Sequence, residues 1–127
     1  MREYINMIQK LFEYDKNQDM FLYHGTSEDP DVIRRTGLQV DKSSSHAAVF
    51  LTDNPELAIE YAESDQERTG YDNITIVSVN VKDLDISLLV GDLDHTLIDD
   101  WQESLRETDQ CMYRGDIPPN ILTVEEY

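Results

Sequence analysis

Leu22-Tyr23-His24-Gly25-Thr26-Ser27 closes a short apolar run that opens at Met20. A run this short, apolar and partly aromatic predicts a buried strand over 20–23, because a helix needs more length to bury a face. The strand delivers His24 and Gly25 at its end. Upstream, polar Lys16-Asn17-Gln18-Asp19 separates it from residues 3–14, where Tyr4, Ile5, Ile8, Leu11 and Phe12 fall on one helical stripe.

Downstream, the punctuation repeats. Asp29-Pro30 reads as a helix cap followed by proline at the first helical position. Val32 and Ile33 supply its buried face, and Gly37 suits a left-handed stop. A strand is expected over 47–52. Asn54-Pro55 then starts a second helix, with Leu57, Ala58, Tyr61 and Ala62 on one face. Residues 63–72 are polar and read as a loop. Asn73 to Val81 is the strongest strand signal, with Ile74, Ile76 and Val77 on both faces before Val79 and Val81 settle onto one, as an interior strand requires. Residues 83–94 read as acidic and irregular. A further amphipathic helix is expected to carry Leu97, Ile98, Trp101 and Leu105, and two short strands follow, around 110–114 and 121–124.

Alternating helices and strands can signal a doubly wound parallel sheet. Here no Gly-rich phosphate loop follows any strand, and the helices are short. The reading is therefore α+β: a mixed, mostly antiparallel sheet with short helices at its margins. With 127 residues, 39% of them hydrophobic, the chain holds one core, so residues 1–127 are read as a single domain.

Ten Lys and Arg oppose 27 Asp and Glu, for a net charge of −17. That sign disfavours direct nucleic-acid binding, whose affinity comes largely from cations displacing counterions. It favours encounter with a basic protein, including one whose natural ligand is a nucleic acid, and it also serves solubility alone. Met1-Arg2-Glu3-Tyr4 leads into a mixed stretch unlike a secretory leader, and no apolar run nears the roughly 20 residues of a membrane span. The expected compartment is the cytoplasm, with no membrane association. Cys111 is the single cysteine, so neither an internal disulfide nor a cysteine-based metal site is expected.

Two segments carry candidate chemistry. In the first, His24 can present a ring nitrogen to a ribose hydroxyl, and Gly25 permits a planar ligand to approach backbone N–H and C=O. A carboxamide, with one donor group and one acceptor, suits such backbone pairing. A plain turn after a strand accounts for the same His-Gly pair. The second is Ala48-Val49-Phe50-Leu51-Thr52-Asp53-Asn54-Pro55-Glu56-Leu57-Ala58-Ile59-Glu60-Tyr61-Ala62. Phe50 arrives on a strand and Tyr61 returns on a helix eleven positions later, so two rings can flank a slot for a flat heteroaromatic. Core packing of both rings is the competing reading.

Together these segments resemble the first and second motifs of the ADP-ribosyltransferases, in the histidine branch that holds the poly(ADP-ribose)-polymerase-like and diphtheria-toxin-like enzymes. A third resemblance lies in Gln110-Cys111-Met112-Tyr113-Arg114-Gly115-Asp116-Ile117-Pro118-Pro119-Asn120-Ile121, a strand, a glycine turn and an Ile-Pro-Pro segment. The resemblance spans roughly residues 20–125, in the expected order. It implies a compact ADP-ribosyltransferase-like fold and an NAD-dependent mono-ADP-ribosyltransferase with a protein acceptor, NAD being the substrate. It implies that His24 holds the adenosine-side ribose, that Gly25 holds the nicotinamide carboxamide, that Thr26 belongs to the same cofactor-binding motif, and that Tyr61 stacks on the nicotinamide ring. Phe50 stands where the family carries a first tyrosine. The family's catalytic glutamate falls at Gln110 or, one residue away, Asp109. A neutral amide there loses the charge that stabilises a cationic transition state, although several histidine-branch members act without the glutamate. Asp92, Asp94, Glu103 and Glu107 are alternative carboxylates. The alternative reading is a non-catalytic acidic protein on the same fold that occupies a basic, nucleic-acid-binding partner. Removal of an RNA 2′-phosphate is disfavoured by the acidic charge and the lack of arginines around His24.

Outside these motifs, His46 and His95 read as solvated residues. The aspartates between 83 and 100 lack the order of a calcium loop, so no metal is expected. Cys111 reads as buried and inert.

Overall fold

The computed structural model describes residues 18–40 and 47–127. The helix expected over 3–14, and His46, lie outside the described residues. In chain order the elements are β1 (Phe21–Thr26), α1 (Pro30–Thr36), β2 (Val49–Thr52), α2 (Pro55–Thr69), β3 (Thr75–Asn80), β4 (Leu89–Gly91), α3 (Trp101–Thr108), β5 (Gln110–Tyr113) and β6 (Leu122–Glu126). The strands form one sheet in the order β4-β5-β2-β1-β3-β6, and every neighbouring pair is antiparallel. The class is α+β, an antiparallel sheet with short helices.

The helix starts follow the cap chemistry. The Asp29 side chain accepts from the Asp31 N–H ahead of α1, and Asn54 accepts from Glu56 ahead of α2, each with proline in the first turn. Gly70 closes α2 in the left-handed region at φ 77°, its N–H donating to the Gln66 carbonyl. Gly37 follows α1 with φ 74°.

Three expectations differ from what forms. Residues 63–69 continue α2 as helix, because their polarity marks a solvated face: Glu63, Glu67 and Arg68 are exposed while Ala62 is buried. Within the stretch expected to be irregular, Leu89–Gly91 form β4 against β5, a strand too short to show a period of two. Leu97 and Ile98 belong to the loop before α3, Leu97 being fully exposed, and α3 starts only at the Asp100 cap.

Strand alternation sorts the core onto two faces. Leu22, Leu51, Val77, Val79 and Cys111 share the larger cluster with Trp101 and Leu105. Ile76 turns the other way, joining Ala58 and Ala62 of α2, with Tyr23 packed against them. Each large aliphatic side chain so buried contributes about 1.5–3 kcal/mol. Gly25 lies under α2, where a Cβ would stand 1.7 Å from the Ala58 carbonyl oxygen. Its missing side chain is a condition of helix-on-strand packing.

Candidate functional site

The site begins with a discontinuity in the sheet. β1 and β3 are registered from Phe21↔Asn80 to Thr26↔Thr75, and β2 and β5 from Val49↔Tyr113 to Thr52↔Gln110. Between β1 and β2 only Tyr23↔Thr52 is in register. Beyond that pair the sheet parts. The cleft that opens there is about 490 Å³ in volume, and His24, Gly25, Thr26, Phe50, Tyr61 and Gln110 all line it. That volume falls in the range of about 300–1,000 Å³ typical of small-molecule sites.

His24 bridges the parting. By alternation it would share the face of Leu22, yet its Nδ1 lies 2.8 Å from the Phe50 carbonyl oxygen on β2. A carbonyl only accepts, so Nδ1 carries the hydrogen, and the neutral ring keeps an accepting lone pair on Nε2. Nε2 has no hydrogen-bond partner among the described residues. Burial pushes the imidazole pKa down, against the opposing pull of the Phe50 carbonyl and the Asp65 charge. The ring is thus held neutral, in one tautomer, at the strand end.

The turn after His24-Gly25 is fastened from α2. Asp65 accepts from the Ser27 N–H at 2.9 Å, the Ser27 hydroxyl at 2.8 Å and the Thr26 hydroxyl at 3.3 Å. Burial raises its pKa, but the Ser27 hydrogen bonds and the Arg68 guanidinium outweigh it and hold the carboxyl below its usual value. Ser27 is fully buried and shares a 2.7 Å contact with Thr69. The segment that reads as a loop is therefore what positions the first motif.

Phe50 and Tyr61 are both half-buried and face the same cleft, one from β2 and one from α2. Neither is absorbed into the core. The Tyr61 phenol is pushed up in pKa by burial and by the charges of Asp92, Glu60 and Asp109, so it remains protonated.

Gln110 opens β5 opposite Thr52, in line with Tyr23 and Ser78 across the sheet. Its backbone carbonyl accepts from the Ser104 hydroxyl at 2.6 Å. Its side-chain amide makes no hydrogen bond to another described residue and faces the cleft. Asp109 caps α3 in the left-handed conformation at φ 61° and stands exposed, outside the lining. Glu103 and Glu107 are exposed as well.

His95 is exposed, as its sequence context predicts, but sequence reasoning missed its pairing and its place at the site. It lines the cleft, and its Nδ1 lies 2.9 and 3.0 Å from the two carboxylate oxygens of Asp92. Asp92 is fully buried, its backbone N–H donating to the Ser104 hydroxyl at 2.9 Å. The His95 and Phe50 rings meet edge-on, with centroids 6.3 Å apart and planes at 61°. The only signal in the sequence was the three-residue spacing of Asp92 and His95. Arg68, ion-paired with Asp65, brings a guanidinium to the lining. Among the described residues no group of three His, Cys, Asp or Glu side chains is placed to hold a metal ion. None of their helices is long and apolar enough to cross a membrane.

A strand-end histidine and a helix-borne tyrosine thus meet at one cleft in a parted sheet. The fold is similar to that of a solved structure, EcPltA. The TM-score is 0.59 at 12% identity, over 85% of this chain and 75% of that one. No protein-family model matches the sequence. No curated protein matches it either. The likeness is one of fold.

Proposed function

We propose that this chain is an NAD-dependent mono-ADP-ribosyltransferase acting on a protein acceptor. The observation that carries the reading is the gathering of His24, Gly25, Thr26, Phe50, Tyr61 and Gln110 around one cleft at the parting of β1 and β2. These are residues that the motif resemblance selects, drawn from four separate elements.

The lining suits such a substrate. Tyr61 and Phe50 offer aromatic surface to a flat ring. Nε2 of His24 accepts a ribose hydroxyl, its tautomer held by the Phe50 carbonyl. Strand edges that have parted expose backbone groups to a carboxamide. Bound NAD supplies a nicotinamide leaving group and a ribose carbon that becomes electron-poor as it leaves. Gln110 lends that centre an uncharged hydrogen-bonding partner, so the field of the surrounding acids contributes what a glutamate would supply directly. Asp92 and Asp109 are close enough to Tyr61 for their charges to act on its phenol.

Incubation with labelled NAD and cell lysate tests the reading. Label should pass to protein, and His24→Ala should abolish it. The absence of both transfer and NAD cleavage with the wild-type chain would overturn it. A second reading is favoured by the net charge of −17 and the neutral Gln110: a non-catalytic protein of this fold that occupies a basic, nucleic-acid-binding partner. It predicts capture of such a partner that is lost above about 0.3 M salt, where screening is strong.

A further inference from the structure

The cleft holds one arrangement that the motif resemblance does not use. His95 and Asp92 form an imidazole–carboxylate pair with unequal exposure: the Asp92 side chain is 0% exposed and that of His95 67%. An ionised carboxylate only accepts, so Nδ1 carries the hydrogen of this bond, and whenever the ring is neutral its lone pair lies on Nε2. The Nδ1 hydrogen is held from beneath by a buried group, and the Phe50 ring stands edge-on beside the imidazole. Asp92 is itself anchored. Its N–H donates to Ser104, its carbonyl accepts from the Thr96 N–H and hydroxyl at 2.9 Å each, and Ser104 reaches the Gln110 carbonyl. One hydrogen-bonded unit therefore ties the histidine to the strand that delivers Gln110.

His95 is exposed, yet the carboxylate it pairs with is fully buried. Burying that charge is costly unless it is paired, and the pair is spent on orienting a ring at the mouth of the cleft. Orientation of an imidazole by a buried acid is the arrangement of Ser-His-Asp triads, where histidine removes a proton from a nucleophile. His24 does not suit that task, because it is half-buried and its role at the strand end is to accept from a bound hydroxyl.

Resting on the transferase reading above, we propose that His95, oriented by Asp92, is the general base that deprotonates the acceptor. The acceptor is then of the class that arrives carrying its proton, such as a hydroxyl, in contrast to an acid already ionised. In the step, the acceptor oxygen bonds to the ribose carbon as the bond from that carbon to nicotinamide breaks. The bonding pair leaves with nicotinamide and neutralises the pyridinium. The acceptor's proton passes to Nε2 of His95, facing the Asp92 charge through the ring, and from there to water. NAD and the protonated acceptor thus give ADP-ribosylated acceptor, nicotinamide and one proton.

Two measurements separate this role from a structural one. Turnover of NAD, with water or protein as the acceptor, requires that the acceptor lose a proton; binding of NAD does not. His95→Gln keeps a donor for Asp92 and removes the base. It should slow turnover by about 10²-fold or more, the usual worth of a general base, while the dissociation constant for NAD changes less than about threefold. In His95→Ala, added imidazole should restore part of the turnover. A loss of NAD binding in His95→Gln that matches the loss of turnover, with no rescue of His95→Ala, would overturn the assignment, as would unchanged turnover. A wild-type chain that neither hydrolyses NAD nor transfers ADP-ribose to protein would overturn the transferase reading together with this one.

Discussion

His24 and Phe50 are joined across the gap in the sheet by a 2.8 Å hydrogen bond from imidazole Nδ1 to the main-chain carbonyl. The bond replaces a strand–strand contact where β1 and β2 separate. It leaves the ring neutral and aimed, which a freely rotating side chain would not be.

The titration of that ring follows from its surroundings. Burial depresses its pKa below the ordinary 6.5, and the Phe50 carbonyl and Asp65 only partly offset it. Between the depressed folded value and 6.5 the unfolded chain binds more protons, so stability rises with pH through that window. The contribution is fully present above 6.5 and is lost as pH falls through the folded value. Nitrogen-15 NMR of the imidazole should show a midpoint below the ordinary one, with Nδ1 protonated in the neutral form. A midpoint at or above 6.5 would contradict this burial.

Gly25→Ala should destabilise the fold whatever ligand the cleft takes. The added methyl meets the Ala58 carbonyl oxygen at 1.7 Å, and backbone on both sides must move. A loss of about 3 kcal/mol or more is expected in denaturant unfolding, at the upper end of overpacking costs. An unfolding midpoint equal to wild type would show that α2 can lift away from β1.

Asp65→Ala removes the acceptor for the Ser27 amide and hydroxyl, both buried. A cost of about 1–3 kcal/mol follows from leaving such donors unpaired. Because the Asp65 pKa is depressed, its share of stability is present above the unfolded carboxylate value and fades as pH falls through the folded one. Wild type and variant should therefore converge in strong acid. Parallel pH profiles would argue against the clamp.

Gln110→Glu places a carboxylate where the cleft has a neutral amide. On the transferase reading, nicotinamide release should rise by about 10²-fold, the lower value for one well-placed electrostatic contact. A variant no faster than wild type would mean that position 110 does not face the reacting carbon.

Cys111 should be inert in the native state. It is fully buried on β5, and burial together with the Asp53 and Asp92 charges pushes its thiol far above the usual range. A thiol reagent should label it only after unfolding.

Much of this molecule was legible in its residues, for identifiable reasons. Asp29-Pro30 and Asn54-Pro55 start helices because side-chain caps and a fixed φ are local properties. Thr75–Asn80 reads as a strand because an interior strand must be apolar on both faces. The second half of α2 was hidden, since Asp65 and Thr69 serve the turn at Ser27 across some 40 positions of chain, and such a bond has no periodicity. β4 was hidden by its three-residue length. In the cleft, His24, Phe50, Tyr61 and Gln110 were recognisable by motif. His95 was not, because its meaning depends on Asp92 being buried beneath it, and an acidic stretch reads as solvated until the fold closes over one member.

The central claim is that the cleft between β1 and β2 takes NAD. Isothermal titration of the wild-type chain with NAD, repeated on Tyr61→Ala, tests it most directly. Saturable binding is predicted for wild type, weakened about tenfold to a hundredfold in the variant, the worth of one base-on-ring stack. No binding to wild type, or equal affinity in both proteins, would contradict it.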